Sequence, residues 1–185
     1  MPLPFRELVQ NCRMRTESAA FTVADLPHFF EEILAWDAKA TADRLRRGNQ
    51  RMHELARRIP DGAPEAGEDW NAKEILAHIA VLSRAYGVFG YMVAKGKLTD
   101  LTMESVITQR DVVGAEMAAR PVADIVAEAD RQHQRTLKFL AEVTPEELQR
   151  TVKIEHGELT VEYLVRLPLV AHLEQHLDQL EKALA

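Results

Sequence analysis

The chain has 185 residues, of which 46% are hydrophobic and 28% charged, a composition typical of one soluble globular domain. Its formal net charge of −6 argues against a general nucleic-acid binder, which needs a basic surface to neutralise phosphates. The single cysteine, Cys12, excludes an intramolecular disulfide and fits a reducing cytoplasm, while no stretch approaches the roughly 18 apolar residues of a membrane span.

Apolar residues recur at helical spacing along most of the chain, and no segment shows the sustained alternation of a β-strand. The first long helix is predicted from about Pro27 to Ile59. One face carries residues at alternating spacings of four and three: Leu34, Ala38, Thr41, Leu45, Gly48, Met52, Leu55 and Ile59. Gly48 on this face indicates either a close approach of a neighbouring helix or a local kink.

A second helix is predicted after the segment PDGAPEAGED (60–69), in which two prolines and two glycines interrupt the helical pattern. Asp69 or Asn71 is expected to cap this helix, which should extend to about Lys95. His78 lies on its apolar stripe, between Ile75 and Leu82. The predicted fold therefore places one imidazole toward a helix–helix contact.

Residues 98–120 give a mixed signal and are predicted to form a connection with one or two helical turns. A third helix is expected from Pro121 to about Val143, with His133 on its inner stripe. The sequence TPEEL (144–148) has the pattern of a helix start, and residues 154–160 are predicted to form a turn.

The final helix is predicted to run from about Thr160 to the C-terminus, with a kink caused by Pro168. His172 and His176 lie four residues apart on it, so their side chains project from one face. Together with His78, they have the pattern of a three-nitrogen metal face with open positions. The alternative is that the pair consists of ordinary, partly exposed histidines and that His78 is a hydrogen-bonded core residue.

Three segments resemble the DinB/YfiT-like metalloenzyme superfamily in the family's own order. DWNAKEILAHIA (69–80) is similar to its second helix, RDVVGAEMAARPVADIVAEADRQHQRTLKFLAEVTPEEL (110–148) to its third-helix region, and GELTVEYLVRLPLVAHLEQHLDQLE (157–181) to its last helix. The resemblance implies an all-α four-helix bundle in up-down-down-up order, with a long crossover between helices two and three. It covers a domain of residues 25–185 and leaves 1–24 as a short N-terminal extension.

The resemblance also implies that His78, His172 and His176 are the metal ligands. Imidazole ligation favours zinc, nickel or iron over magnesium or calcium. Family members include thiol-dependent transferases and isomerases, so the resemblance implies a metal-dependent S-transferase, isomerase or hydrolase acting on a small molecule. A low-molecular-weight thiol is the second cofactor that the resemblance suggests. The expected protein is a cytoplasmic homodimer with no nucleic-acid or membrane partner. The alternative is a non-catalytic, stress-associated bundle that binds a metal or another ligand.

Further residues have candidate roles beside this metal site. His133 is a candidate general base or a hydrogen-bonding partner of a metal ligand, although a buried structural histidine explains its position more simply. Trp70 is a candidate for the wall of a substrate pocket, with packing at the helix start as the alternative. Tyr86 and Arg110 are weaker candidates for orienting an anionic group of a substrate. Glu174 does not follow His172 directly, so the pair lacks the HExxH pattern of a metalloprotease.

Overall fold

The computed structural model describes residues 26–60, 62, 70–102 and 112–185, with side chains described from residue 35 onward except that of residue 36. The chain divides into two compact units, Met1–Ile33 and Leu34–Ala185. Of the first unit, only the helical backbone of residues 26–33 is described. The predicted boundary between the extension (1–24) and the domain (25–185) lies outside the described residues and stays a prediction.

The described part of the chain is predominantly helical, as the sequence predicts. In order, its elements are α1 (Leu26–Ala56), α2 (Ala72–Ala94), α3 (Val122–Glu142), α4 (Pro145–Gln149), β1 (Thr151–Ile154), β2 (Gly157–Thr160), α5 (Val161–Leu164), a π-helical segment (Val165–Ala171) and α6 (His172–Ala183). Residues 112–118 are also helical, within the connection between α2 and α3.

Two helix starts confirm their predicted caps. The Asn71 side chain accepts hydrogen bonds from the backbone N–H groups of Lys73 and Glu74, and the Glu74 carboxylate accepts one from the Asn71 N–H. Thr144 and Glu147 form the same reciprocal arrangement at the start of α4. These side chains satisfy backbone donors that the first turn of a helix leaves unpaired.

The prediction that the chain has no β-strand is wrong, because residues 151–160 form a hairpin. Strands β1 and β2 pair antiparallel, with Val152 opposite Leu159 and Ile154 opposite Gly157. Val152 is fully buried. Each strand has four residues, which is too short for alternation to be distinguished from a turn in the sequence. The backbone of Thr99 and Leu101 also hydrogen-bonds to Lys153, so the chain leaving α2 runs beside the hairpin.

The final helical region is divided by a seven-residue π-helical segment that contains Pro168. Proline has no backbone N–H, so it removes one hydrogen bond from the helical ladder. The backbone N–H of His172 donates to the carbonyl of Leu167, five residues earlier. The predicted disturbance at Pro168 therefore takes the form of a wider helical turn, directly before the two histidines of α6.

Helix α2 is central to the core, and residues 75–83 are all buried. By length and composition alone this helix could cross a membrane, but 56% of its most apolar window is buried inside the protein. A core helix that is covered on all faces needs this apolar composition. Packing within the domain thus accounts for its hydropathy.

Side-chain contacts give the relative directions of the long helices. Arg44 and Arg51 of α1 pair with Glu174 and Asp178 of α6, so these helices run parallel. On α2 and α3, Ser83 contacts His133, and a Cβ on Gly87 would lie 2.6 Å from Oγ1 of Thr136. One turn further along both helices, the ring of Tyr91 contacts that of Phe139. The contacts advance in the same direction on both helices, so α2 and α3 are also parallel to each other.

The predicted inner face of the first helix is confirmed over its described side chains, since its members from Ala38 to Leu55 are buried. The helix ends at Ala56, and Ile59 is buried just beyond it. Gly48 marks a close approach to α6. A Cβ atom at this position would lie 2.8 Å from Cδ2 and 3.4 Å from Cγ of Leu173. Of the two explanations for this glycine, close helix packing is the one that the structure supports.

We expect Gly48→Val to lower the free energy of unfolding by about 2–3 kcal/mol, because its methyl groups would overpack the contact with Leu173. Urea denaturation of the variant and the parent protein measures this loss. Gly114→Val is the matched control, since a Cβ there meets no atom within 4 Å. Equal losses in the two variants would contradict a tight α1–α6 contact at Gly48.

Candidate metal centre and adjoining cleft

Three histidines from two helices converge at one point of the domain. His78 is a buried residue of α2. His172 is the first residue of α6, and His176 lies one turn later on the same helix. One potential ligand nitrogen of each histidine lies within 4.8 Å of the other two. The predicted triad is therefore brought together in the folded chain.

The three imidazole rings contact one another directly. The His78 ring centroid lies 4.5 Å from that of His176 and 5.7 Å from that of His172, with both ring pairs nearly perpendicular. The Nε2 atoms of His172 and His176 are 2.7 Å apart. At this distance one ring donates its N–H to the lone pair of the other, so the two rings cannot both be protonated at Nε2.

Gln179 determines which nitrogen of His176 carries the proton. Nδ1 of His176 donates to Oε1 of Gln179 at 2.8 Å, one turn further along α6. Nε2 of His176 is then left with a lone pair that faces His172. His176 is 9% exposed, and burial lowers its pKa below the usual value, whereas the hydrogen bond to Gln179 acts in the opposite direction. The neutral ring that results is the form that binds a metal ion.

Trp70 packs against the histidine cluster from the residue before the cap of α2. Its ring centroid lies 4.5 Å from that of His78 and 6.3 Å from that of His176. The side chain remains 44% exposed. This position is compatible with the predicted wall of a site, and the packing also limits the rotation of the His78 ring.

An open cleft of about 480 Å³ adjoins the cluster through His172, which is one of its lining residues. Tyr86 of α2, a candidate for substrate binding, is one of the lining residues of this cleft. Much of the remaining wall comes from α5 and the π-helical segment, and the hairpin contributes Leu159. Arg110, the other candidate for substrate binding, lies outside the described residues.

A family model described as the DinB superfamily matches residues 44–180, a range that contains all three histidines. The chain belongs to the DinB superfamily. No curated protein and no solved structure matches it. The superfamily name does not imply DNA chemistry, and the net charge of −6 gives no electrostatic reason to expect it.

His133 of this DinB-superfamily chain is fully buried in a separate polar network. Its Nδ1–H donates to Oδ1 of Asn49 at 2.6 Å, and its Nε2 accepts from the Ser83 hydroxyl at 2.8 Å. Asn49 in turn donates to Asp130 at 2.7 Å. This is the buried, hydrogen-bonded histidine described by the simpler alternative, so we give it a structural role.

The burial of His133 should make folding stability depend on pH. Burial lowers its pKa from 6.5 to about 4, so the unfolded chain binds a proton more readily than the folded chain. Well above pH 6.5 no stability is lost, because His133 is neutral in both the folded and the unfolded state. As the pH falls from 6.5 to 4, His133 should cost about 3 kcal/mol of stability.

Urea denaturation at pH 7 and pH 4 measures this loss, with His133→Gln as the control that cannot titrate. The comparison isolates His133, because every other ionisable group is common to both proteins. We expect the parent protein to lose about 3 kcal/mol more than the variant. Equal losses in the two proteins would show that His133 is not buried in its neutral form.

The side chain of Glu174 pairs with Arg44 of α1. Its carboxylate accepts hydrogen bonds from Nε and an Nη of Arg44 at 2.9 and 2.6 Å. Gln179 is a residue of the site that the sequence analysis missed, although its spacing of three from His176 places both on one helix face. The contributions of Leu159 and Tyr163 to the cleft were missed as well, because they depend on how the hairpin and the short helix α5 pack.

Proposed function

We propose that His78, His172 and His176 hold one divalent transition metal, with zinc, nickel or iron as the candidates. Support comes from the convergence of three imidazoles whose ligand atoms lie within 4.8 Å of one another. The donor set is chemically suitable, because neutral imidazoles bind these metals and three protein ligands leave positions open. Gln179 holds the His176 ring by its Nδ1–H, which leaves the lone pair on Nε2 available to the same metal ion.

The chain's own residues would prepare this site for chemistry. When bound, the metal supplies a Lewis acid that lowers the pKa of a water or thiol ligand. Gln179 keeps His176 in one tautomer, and the Trp70 ring restricts His78 and covers one side of the cluster. The cleft beside His172 gives a small molecule access to the same point.

From these features we infer that the protein is a metal-dependent enzyme acting on a small molecule, either as a thiol-dependent S-transferase or isomerase or as a hydrolase. One observation supports the inference most directly: His172 belongs both to the histidine cluster and to the wall of the cleft. A metal that served only to stabilise the fold would not need a cleft beside one of its ligands.

A non-catalytic role in metal or ligand binding is the second candidate, and one observation favours it. The described residues that line the cleft include no aspartate, glutamate, lysine or cysteine. His133, a candidate general base, is hydrogen-bonded on both ring nitrogens to Asn49 and Ser83. Any acid–base chemistry would therefore depend mainly on the metal and the substrate.

Elemental analysis of the purified protein, followed by a turnover screen, tests this proposal. The screen pairs low-molecular-weight thiols with electrophilic acceptors and adds simple ester and amide substrates, using both metal-loaded and chelator-treated protein. We expect stoichiometric metal and at least one reaction that stops on chelation and resumes on reloading. Metal without metal-dependent turnover would favour the binding role. Protein that takes up no metal would reject the metal-dependent enzyme and the metal-binding role.

We further infer that the four long helical regions form an up-down-down-up bundle. The parallel contacts of α1 with α6, and of α2 with α3, support this order. Parallel α2 and α3 require a long crossover, for which residues 95–121 are available. Homodimerisation and a cytoplasmic location remain predictions, and light scattering coupled to gel filtration would test the first of them.

A further inference from the structure

The wall of the cleft is formed mainly by apolar residues at the π-helical turn. Leu164, Leu167, Pro168 and Ala171 come from α5 and the π-helical segment, and Leu159 comes from the adjacent strand. A π-helical turn contains more residues than an α-helical turn. It therefore rotates these residues about the helix axis, relative to the histidines of α6, from where a continuous α-helix would place them. The apolar wall and the proposed metal ligands are therefore parts of one continuous chain segment.

Polar groups of the described residues that line the cleft are few, and none of them is a carboxylate, an ammonium or a guanidinium group. They belong to Tyr86, Tyr163, His172 and Gln175. The charged residues next to the wall have partners of their own. Arg166 pairs with Glu162 at 3.1 Å, and Glu174 pairs with Arg44 at 2.6 Å.

This distribution of charge discriminates between classes of ligand. An anionic group placed against the apolar wall would lose hydration without gaining a cationic partner from the described lining residues. An aromatic or aliphatic group would instead bury apolar surface against the wall, and the volume of about 480 Å³ lies within the usual range for small-molecule sites. Polar lining atoms next to the histidine cluster suit a single uncharged polar group at the end of such a ligand.

We propose that the cleft binds a neutral, largely apolar small molecule, such as an aromatic alcohol or thiol, with its polar end at His172 and Gln175. This inference deepens the proposed function. It rests on that function only for the idea that the polar end of the ligand lies at the reacting centre. It disfavours substrates that place a phosphate or a carboxylate against the apolar wall. Binding of the apolar portion is measurable without any metal.

Isothermal titration of the full-length protein with naphthalene-2-methanol and 2-naphthoate tests the preference, because the two probes share a ring system and differ mainly in charge. Chelator-treated protein is used first, so that the carboxylate cannot bind a metal directly. We expect the alcohol to bind at least about 10-fold more tightly than the carboxylate. Equal or tighter binding of the carboxylate, or no binding of the alcohol, would overturn the proposal.

A pair of variants locates the bound probe. Leu167 is 42% exposed in the cleft wall, whereas Val88 is 45% exposed on α2 and is not among the lining residues. Leu167→Asp should weaken binding of the alcohol at least about 10-fold, and Val88→Asp should leave it unchanged. Equal effects of the two substitutions would place the probe elsewhere and reject this cleft as its site.

Repeating the titrations with metal-loaded protein separates this inference from the proposed function. If the protein takes up no metal but still binds the alcohol in a Leu167-dependent manner, the proposed function fails and the ligand class stands. If it binds metal at the histidines but does not bind the alcohol, the ligand class fails and the metal site stands.

Discussion

His176→Ala is expected to lower the affinity for the divalent metal at least about 100-fold, because the substitution removes one of only three protein ligands. His176 is the central member of the cluster, since its ring centroid lies within 4.5 Å of those of both His78 and His172. The two remaining imidazoles come from different helices, so the variant also loses the i, i+4 pair on α6. Equilibrium dialysis followed by elemental analysis measures the change.

Two companion variants make this result specific. His156→Ala alters an exposed histidine in the hairpin turn and should leave metal affinity unchanged. Gln179→Leu keeps all three ligands but removes the hydrogen bond to Nδ1 of His176, so a smaller loss of about 10-fold is expected. If His176→Ala and His156→Ala bind metal equally well, the triad assignment is wrong.

For His133→Ala we expect a loss of about 3–5 kcal/mol in the free energy of unfolding. The substitution opens a cavity at a fully buried position between three helices. It also leaves Oδ1 of Asn49 and the hydroxyl of Ser83 without their partner, and each such buried group costs about 1–3 kcal/mol. Because the network joins α1, α2 and α3, its loss should affect cooperative unfolding of the domain.

Chemical denaturation at pH 7 measures this effect without the contribution of histidine protonation. His53→Ala is a suitable control, because His53 contacts the same Asp130 at 3.3 Å but its side chain is 40% exposed. The control should lose less than about 1 kcal/mol. A loss below 1 kcal/mol in His133→Ala would show that the buried network contributes little to stability.

The elements that could be predicted from the sequence are those with a local cause. The inner face of α1 follows from apolar spacing alone, and the caps at Asn71 and Thr144 follow from side chains that reach their own helix start. The grouping of His172 with His176 follows from helical geometry in the same way. Adding His78 to them rested on its inward position on the second helix and on a resemblance to a family, because no local pattern relates α2 to α6.

The missed features arise from packing between distant segments. The hairpin depends on burial of Val152 and on pairing with residues 99–101, neither of which leaves a pattern in four-residue strands. The partners of His133 lie about 50 and 84 positions away along the chain. A histidine on an inner stripe can be a metal ligand, a base or a core residue, and only its neighbours distinguish these roles.

The amino-acid sequence by itself determined the helical class, the positions of the long helices and the shared face of His172 and His176, because each depends on interactions between residues a few positions apart. The tertiary structure decided that His78 meets this pair while His133 is held in a separate network, because side chains from different helices become neighbours only after packing. It also decided that Pro168 lies in a π-helical turn beside a cleft. Proline's missing N–H predicts a disturbance, but the packing around it selects the form that the backbone takes.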